Sequence, residues 1–342
     1  MLAASGADLP TSVDDLISPA LAARVDRLDV LSRKLLAGKL PGERRSKRRG
    51  RSVEFDDFRP YIAGDDLRHI DWNVYARLER LVIKLFREEE DLALHLLVDA
   101  SGSMDAGRPS KLGYALRLAF ALAYIGLVNQ NRVSVGLFGL SASEGGAPTR
   151  GGLAELRPMR GRRSVRALGE FLLRGARRVV GEGGSGGGGV GREGSDAGAE
   201  FGRACRGFAQ GRAGRGVMVV ISDFLMESGC DAGLSYVGAA TWDGSFDAHA
   251  IQVIAPGEAD PAVERDRGLV GDLRMTDVES GRGAEVTVTP ETIQAYRREF
   301  DRAVARVRAS CAARGVAYAR IETETPIETV LTGALRRGGL LR

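Results

Sequence analysis

The stretch Leu92–Gly107, LALHLLVDASGSMDAG, sets the frame for the whole chain. A run from Leu92 to Val98, apolar except for His95, ends abruptly at Asp99. Ser101, Ser103 and Asp105 then come at every second position. A continuous apolar run of this length is the pattern of a strand buried on both faces, as in a parallel sheet. A ladder of small oxygen-bearing side chains therefore stands at the strand's carboxyl end.

On the C-terminal side of this stretch, strands alternate with helices. Lys111 to Asn129 is helical and apolar over most of its surface, so it must be well covered. RVSVGLF (Arg132 to Phe138) is a second strand and LAELRP an edge strand. Arg163 to Val179 is an arginine-rich helix, succeeded by a glycine-rich insertion over residues 181–198 that reads as flexible. AEFGRACRGFAQ resumes as a helix. GVMVVIS is a strand ending at Asp223, and AHAIQVI is another. LRMTDVESGRGAEVTVT has the pattern of a hairpin turning near Ser280-Gly281. Pro290 suits the first position of a long helix carrying Ile293, Tyr296, Phe300, Val304, Val307 and Cys311 at steps of three and four. GVAYARI is the last strand, and Thr325 and Glu328 form a capping-box pattern around Pro326. This alternation predicts an α/β fold with a doubly wound, mostly parallel sheet flanked by helices.

Upstream, residues 1 to about 40 read as a helical lead-in opened by Ser18-Pro19. A basic run, an acidic and aromatic segment and the charged-ended strand RLVIKLFREEED come next. We therefore expect an N-terminal helical and β extension over 1–90 and the α/β domain over 91–342.

Composition bounds the function. The chain has 342 residues, 44% hydrophobic and 27% charged, with a net charge of +4, values ordinary for a soluble globular protein. Cys205, Cys230 and Cys311 are widely spaced and form neither a CxxC pair nor a disulfide framework. The first ten residues lack the pattern of a secretory signal, and the apolar stretch Leu118–Val128 is too short to span a bilayer. The expected location is cytoplasmic.

In doubly wound sheets, ligands sit beyond the carboxyl ends of strands, where strand order reverses. Asp99, Ser101 and Ser103 would present three oxygens there from one tight loop. A hard cation such as Mg²⁺ takes oxygen ligands in near-octahedral array and keeps some of its waters. One carboxylate and two hydroxyls would leave such an ion coordinatively open. The bland alternative is an ordinary turn or helix N-cap, which uses the same residue types.

The D-x-S-x-S stretch resembles the metal-ion-dependent adhesion site of von Willebrand factor type A domains. That family adds a threonine ahead of a helix and an aspartate at the end of a later core strand. The resemblance carries these roles to Ser195, in GSDAGAEFGRACRGF, and to Asp223, in VMVVISDF. It implies a metal site of Asp99, Ser101, Ser103, Ser195 and Asp223, holding Mg²⁺ or Mn²⁺. Residues from RRGRSVEFDDFRPYIAGDDLRHIDW through VDASGSM further resemble the bacterial family called Domain of Unknown Function 58, over roughly residues 30 to 335. That resemblance implies an adaptor or assembly partner of a MoxR-type AAA+ ATPase, and no reaction.

Other constellations have plainer readings. In GDDLRHIDW, Asp65, Asp66, His69 and Asp71 are close enough for a metal or acid–base site, but pairing with Arg59 or Arg68 explains them, with Trp72 packed on the core. The run Arg44 to Ser52 suits partner docking or intramolecular pairing better than nucleic acid, having no aromatic platform. His95 and His249 lie inside apolar strands, where packing is the expected role. G-x-S-x-G and G-x-G-x-x-G matches near Ser185 are accidents of low complexity. Three functions stay open, the first two being a non-enzymatic, metal-dependent protein-binding module and a metal-dependent hydrolase with Asp105 or Asp196 as base. A nucleic-acid binder built on Arg44, Arg45, Lys47, Arg48 and Arg49 is the third.

Overall fold

The computed structural model describes residues 8–32, 53–62, 64–65, 67–88, 92–140, 152–183, 197–210, 212, 215–226, 229–242, 246–266, 272–276 and 283–342. The chain divides into two compact units, residues 1–37 with 92–342, and residues 38–91. The lead-in thus belongs to the unit that carries the sheet, whereas the sequence reading groups it with the segment up to residue 90.

The reason is packing. The lead-in forms α1 (Val13–Leu16), capped by Ser12, and α2 (Pro19–Val25), capped by Ser18. Leu16, Val25, Leu28 and Val30 are buried in the same core as the sheet. Arg117 donates to the Asp8 and Asp15 carbonyls, and the Arg342 backbone N–H donates to the Asp29 carbonyl at 3.0 Å. The second unit holds β1 (Val53–Pro60), α3 (Trp72–Leu78) and β2 (Val82–Glu88), with β1 and β2 antiparallel.

The main unit continues with β3 (Leu92–Asp99), α4 (Lys111–Val128), β4 (Arg132–Phe138), β5 (Ala154–Met159), α5 (Val165–Gly183) and α6 (Ala197–Ala209). Next come β6 (Arg215–Ser222), α7 (Asp231–Trp242), β7 (Phe246–Ile254), and the short α8 (Pro256–Ala259) and α9 (Pro261–Asp266). β8 (Asp272–Thr276) and β9 (Gly283–Thr287) form the expected hairpin, its turn lying outside the described residues. The chain closes with α10 (Pro290–Ala313) and β10 (Ala317–Glu322).

The six-stranded sheet has the order β10-β7-β6-β3-β4-β5. All its pairings are parallel except β4–β5. Period-two alternation on β3 splits its side chains between two layers. Leu94, Leu96 and Val98 join the layer of α4 and α5, and Leu97 joins that of α6 and α7. From β3 the chain moves through α4 to β4 on one side, and later returns to β6 on the other. Strand order therefore reverses at β3, opening a crevice at the carboxyl ends of β3 and β6, where doubly wound sheets bind ligands.

α4 is long and apolar enough to cross a membrane by length and composition, but it is the core helix here, with Leu112 through Leu127 largely buried. Two sequence expectations shift. The glycine-rich insertion is bounded by helices reaching Gly183 and starting at Ala197, so α5 and α6 take residues from both its ends. The capping box at Thr325 does not form. Pro326 holds the N-cap position, where its ring offers no acceptor, and the Glu328 carboxylate accepts from Arg24 at 2.6 Å.

Candidate functional site

The loop after β3 is held from both sides. Asp99 is 1% exposed. Its Oδ1 accepts from the Ser101 N–H at 2.9 Å, an Asx-turn that reverses the chain at the strand end. Its Oδ2 accepts from the Ser222 hydroxyl at 2.6 Å, across from β6. The same Ser222 Oγ accepts from the Phe224 N–H at 3.0 Å, fixing the turn after Asp223. Phe224 adopts φ 54°, and its ring is buried against Phe201.

Ser101 precedes, and Ser103 lies within, a 3-10 turn over Gly102–Asp105 that is pinned by buried Met104. Their hydroxyl oxygens lie 3.0 Å apart. Gly139, after β4, backs this loop. Its φ of +79° suits glycine, and a Cβ there would come within 2.6 Å of the Ser101 nitrogen. Asp105 has one buried oxygen without a hydrogen-bond partner, and burial pushes its carboxyl up.

Asp223, at the end of β6, is also buried. Its Oδ1 accepts from the Leu225 N–H at 3.1 Å and its Oδ2 from the Lys111 ammonium at 2.7 Å. Lys111 opens α4, is 1% exposed, and donates to Glu258 as well. Glu258 lies after β7 in α8, where its Oε2 accepts from the Ala255 N–H at 3.1 Å. The carboxyl ends of three adjacent strands thus converge on three carboxylates and one ammonium, a formal charge of minus two.

The electrostatics derive from this burial. Asp99 is raised well above the ordinary carboxylate range, first by burial and then by the nearby Asp223 charge. Glu258 is raised by burial, against the pull of Lys111. Burial alone would lower the Lys111 ammonium, but the charges of Asp223 and Glu258 prevail and raise it.

The structure places Asp99, Ser101 and Ser103 at and just after the end of β3 and Asp223 just after neighbouring β6, while Ser195 lies outside the described residues. Among the described residues, no group of three or more His, Cys, Asp or Glu side chains is placed to hold a metal ion. The candidate donors are instead two hydroxyls and one carboxylate. The two hydroxyls are hydrogen-bonded to each other at 3.0 Å, and two neighbouring oxygens of this kind are donors that a small hard cation could take. The surplus negative charge and the unpartnered Asp105 oxygen point the same way.

Sequence reasoning missed Lys111 and Glu258. One signal was present: Lys111 stands at the first turn of an apolar helix, where the dipole disfavours a cation. Such a lysine needs buried anions nearby.

The other constellations resolve as structural. Asp65 pairs with Arg59 at 2.7 Å. Asp71 caps α3 through the Asn73 and Val74 N–H groups and pairs with Lys84 at 3.0 Å, which holds its carboxyl below the usual range. Trp72 is exposed and edge-on to Tyr75, not buried as expected. Asp66, the His69 side chain and the basic run 44–52 lie outside the described residues. His95 and His249 are buried in their strands.

A family model described as "Protein of unknown function DUF58" matches residues 57–310. Proteins of Mycobacterium tuberculosis and Mycobacterium bovis named "Uncharacterized protein Rv1480" and "Uncharacterized protein Mb1516" are each 28% identical over 304 residues, 87% of this chain and 82% of theirs. Among solved structures, conserved hypothetical protein BatB from Bacteroides thetaiotaomicron is 15% identical, with a TM-score of 0.37, covering 72% of this chain and 98% of that one. An aerotolerance-related membrane protein from Bacteroides fragilis is 19% identical, with the same TM-score and coverages.

Proposed function

Because the chain belongs to the DUF58 family, whose description states no activity, we propose its function from the site itself: a metal-dependent protein-binding module. In this reading the sheet is of the von Willebrand factor type A kind. Asp99, Ser101 and Ser103 hold Mg²⁺ or Mn²⁺, with Asp223 behind them. When bound, the cation supplies a Lewis-acidic open position that a partner's carboxylate can fill. The protein's own groups set the stage: Ser222 and the Ser101 N–H hold Asp99, and Gly139 lets the loop lie against β4. The observation that carries the reading is the pair of neighbouring hydroxyls, hydrogen-bonded at 3.0 Å, in the loop that follows a buried carboxylate at the reversal point of the sheet.

The partner proposed from the family resemblance is a MoxR-type AAA+ ATPase in the cytoplasm. Calorimetric titration of the full chain with MgCl₂ and MnCl₂ tests the cation, beside a Ser101→Ala/Ser103→Ala variant. Binding lost in the variant, with the far-ultraviolet spectrum retained, is the expected result. Equal heats for both proteins refute it. Pull-down of the cognate ATPase by wild type with Mg²⁺, and not with chelator, tests the partner.

Metal-dependent hydrolysis is the second reading, favoured by the raised, half-buried Asp105 carboxyl as a general base. It requires Mg²⁺-dependent phosphoester turnover that falls in Asp105→Asn.

A further inference from the structure

Lys111 is a cation sealed from solvent at the first turn of α4, where neither water nor the helix dipole favours it. Two carboxylates hold it there. Asp223 lies 2.7 Å away on one side and Glu258 bonds it on the other. Ser222, next to Asp223, bonds Asp99, so the two carboxyls end neighbouring strands. The Glu258 carboxylate bonds to Lys111 and the Ala255 N–H, while its carbonyl accepts from the Tyr296 hydroxyl at 2.9 Å. The chain has thus placed a counter-ion directly behind Asp223 and then returned its charge with a second carboxylate one strand further on.

We propose that Glu258, acting through Lys111, sets the cation charge that the Asp99–Ser101–Ser103 site accepts; the inference rests on the cation reading above. With all four groups ionised, Asp99, Asp223, Glu258 and Lys111 sum to minus two, which a divalent ion neutralises. Loss of Glu258 leaves minus one, and loss of Lys111 leaves minus three. At an effective dielectric near 20, a unit charge roughly 12–24 Å from a divalent cation changes its binding constant on the order of ten- to a hundredfold, and a nearer charge changes it more. Glu258 is therefore a positioning residue that works through charge without touching the ion.

The test is calorimetric titration of the full chain with MgCl₂, and luminescence titration with Tb³⁺, for wild type and three variants. Glu258→Gln keeps the size of the side chain and an oxygen for the Ala255 N–H. It is expected to weaken Mg²⁺ binding about tenfold or more. Lys111→Met is expected to tighten Mg²⁺ by a similar factor and Tb³⁺ by a larger one. The double variant restores minus two, and its Mg²⁺ affinity is expected to return close to wild type. A purely structural role for the triad gives the opposite order, with the double variant weaker than either single one, and that result overturns the proposal. Should Lys111→Met fail to fold, Glu258→Gln and the double variant still decide it by whether lost affinity is regained. Wild-type affinity in Glu258→Gln defeats this inference alone. Absence of cation binding in wild type defeats the cation reading and this inference with it.

Discussion

His95 offers a quantitative test of how β3 is buried. It is 2% exposed. Its Nδ1 lies 2.5 Å from the Ser134 hydroxyl, and its Nε2 is buried without a partner. The rings of Phe246 and Phe208 pack against it at 5.3 and 6.2 Å. Burial, helped by the charges of Arg212 and Arg132, lowers its pKa from 6.5 to about 3. The folded state therefore keeps the ring neutral while the unfolded chain protonates it below pH 6.5. The unfolded state binds more protons in that window, so stability falls as pH drops from 6.5 toward 3. At pH 5.0 the unfolded chain is favoured by about 1.5 pH units at 1.36 kcal/mol each, about 2 kcal/mol relative to pH 7.5. Any folded-state value below about 4 gives nearly the same figure. The assay is urea unfolding of wild type and His95→Gln at pH 7.5, 6.0 and 5.0. Glutamine can keep the bond to Ser134 and does not titrate. Other groups contribute equally to both proteins, so the difference between the two profiles isolates His95. Parallel profiles, with no narrowing near 2 kcal/mol at pH 5.0, would refute the burial argument.

The geometry of the crevice sets three further outcomes. Ser222→Ala removes the donor to Asp99 Oδ2 and the acceptor for the Phe224 N–H, and should cost about 1.5–3 kcal/mol in urea unfolding, as lost bonds to charged groups do. Gly139→Ala places a Cβ against Ser101 at a φ of +79°, and should weaken Mg²⁺ binding measured by calorimetry more than it lowers Tm, because the displaced backbone carries the hydroxyl. If the cation binds only the folded chain, Mg²⁺ at about 100 times its Kd should stabilise wild type by about 2.7 kcal/mol, and chelator should reverse this in a thermal scan; Ser101→Ala/Ser103→Ala should not respond.

Much of the architecture was legible because burial writes itself into periodicity. The run Leu92–Val98 can only be a strand covered on both faces, and α4, β4, β6, β7, α10 and β10 lie where apolar spacing places them. Asp99 and Asp223 were legible for a related reason: each carboxylate ends an apolar strand, so each must sit at the sheet's edge in the crevice. Trp72 was misjudged because an aromatic beside a charged cluster carries no periodicity that tells inside from outside.

Local order along the chain was enough for the strand-and-helix alternation and for the loop chemistry at Asp99, Ser101 and Ser103, since both depend on residues close together in sequence. The surroundings of that loop came from the tertiary fold. Ser222 reaches Asp99 across 123 positions, Lys111 reaches Asp223 across 112, and Glu258 meets Lys111 across 147. The strand order β7-β6-β3 brings these together, and no local pattern encodes strand order. The charge of the crevice is the sum over groups that only the folded sheet makes neighbours.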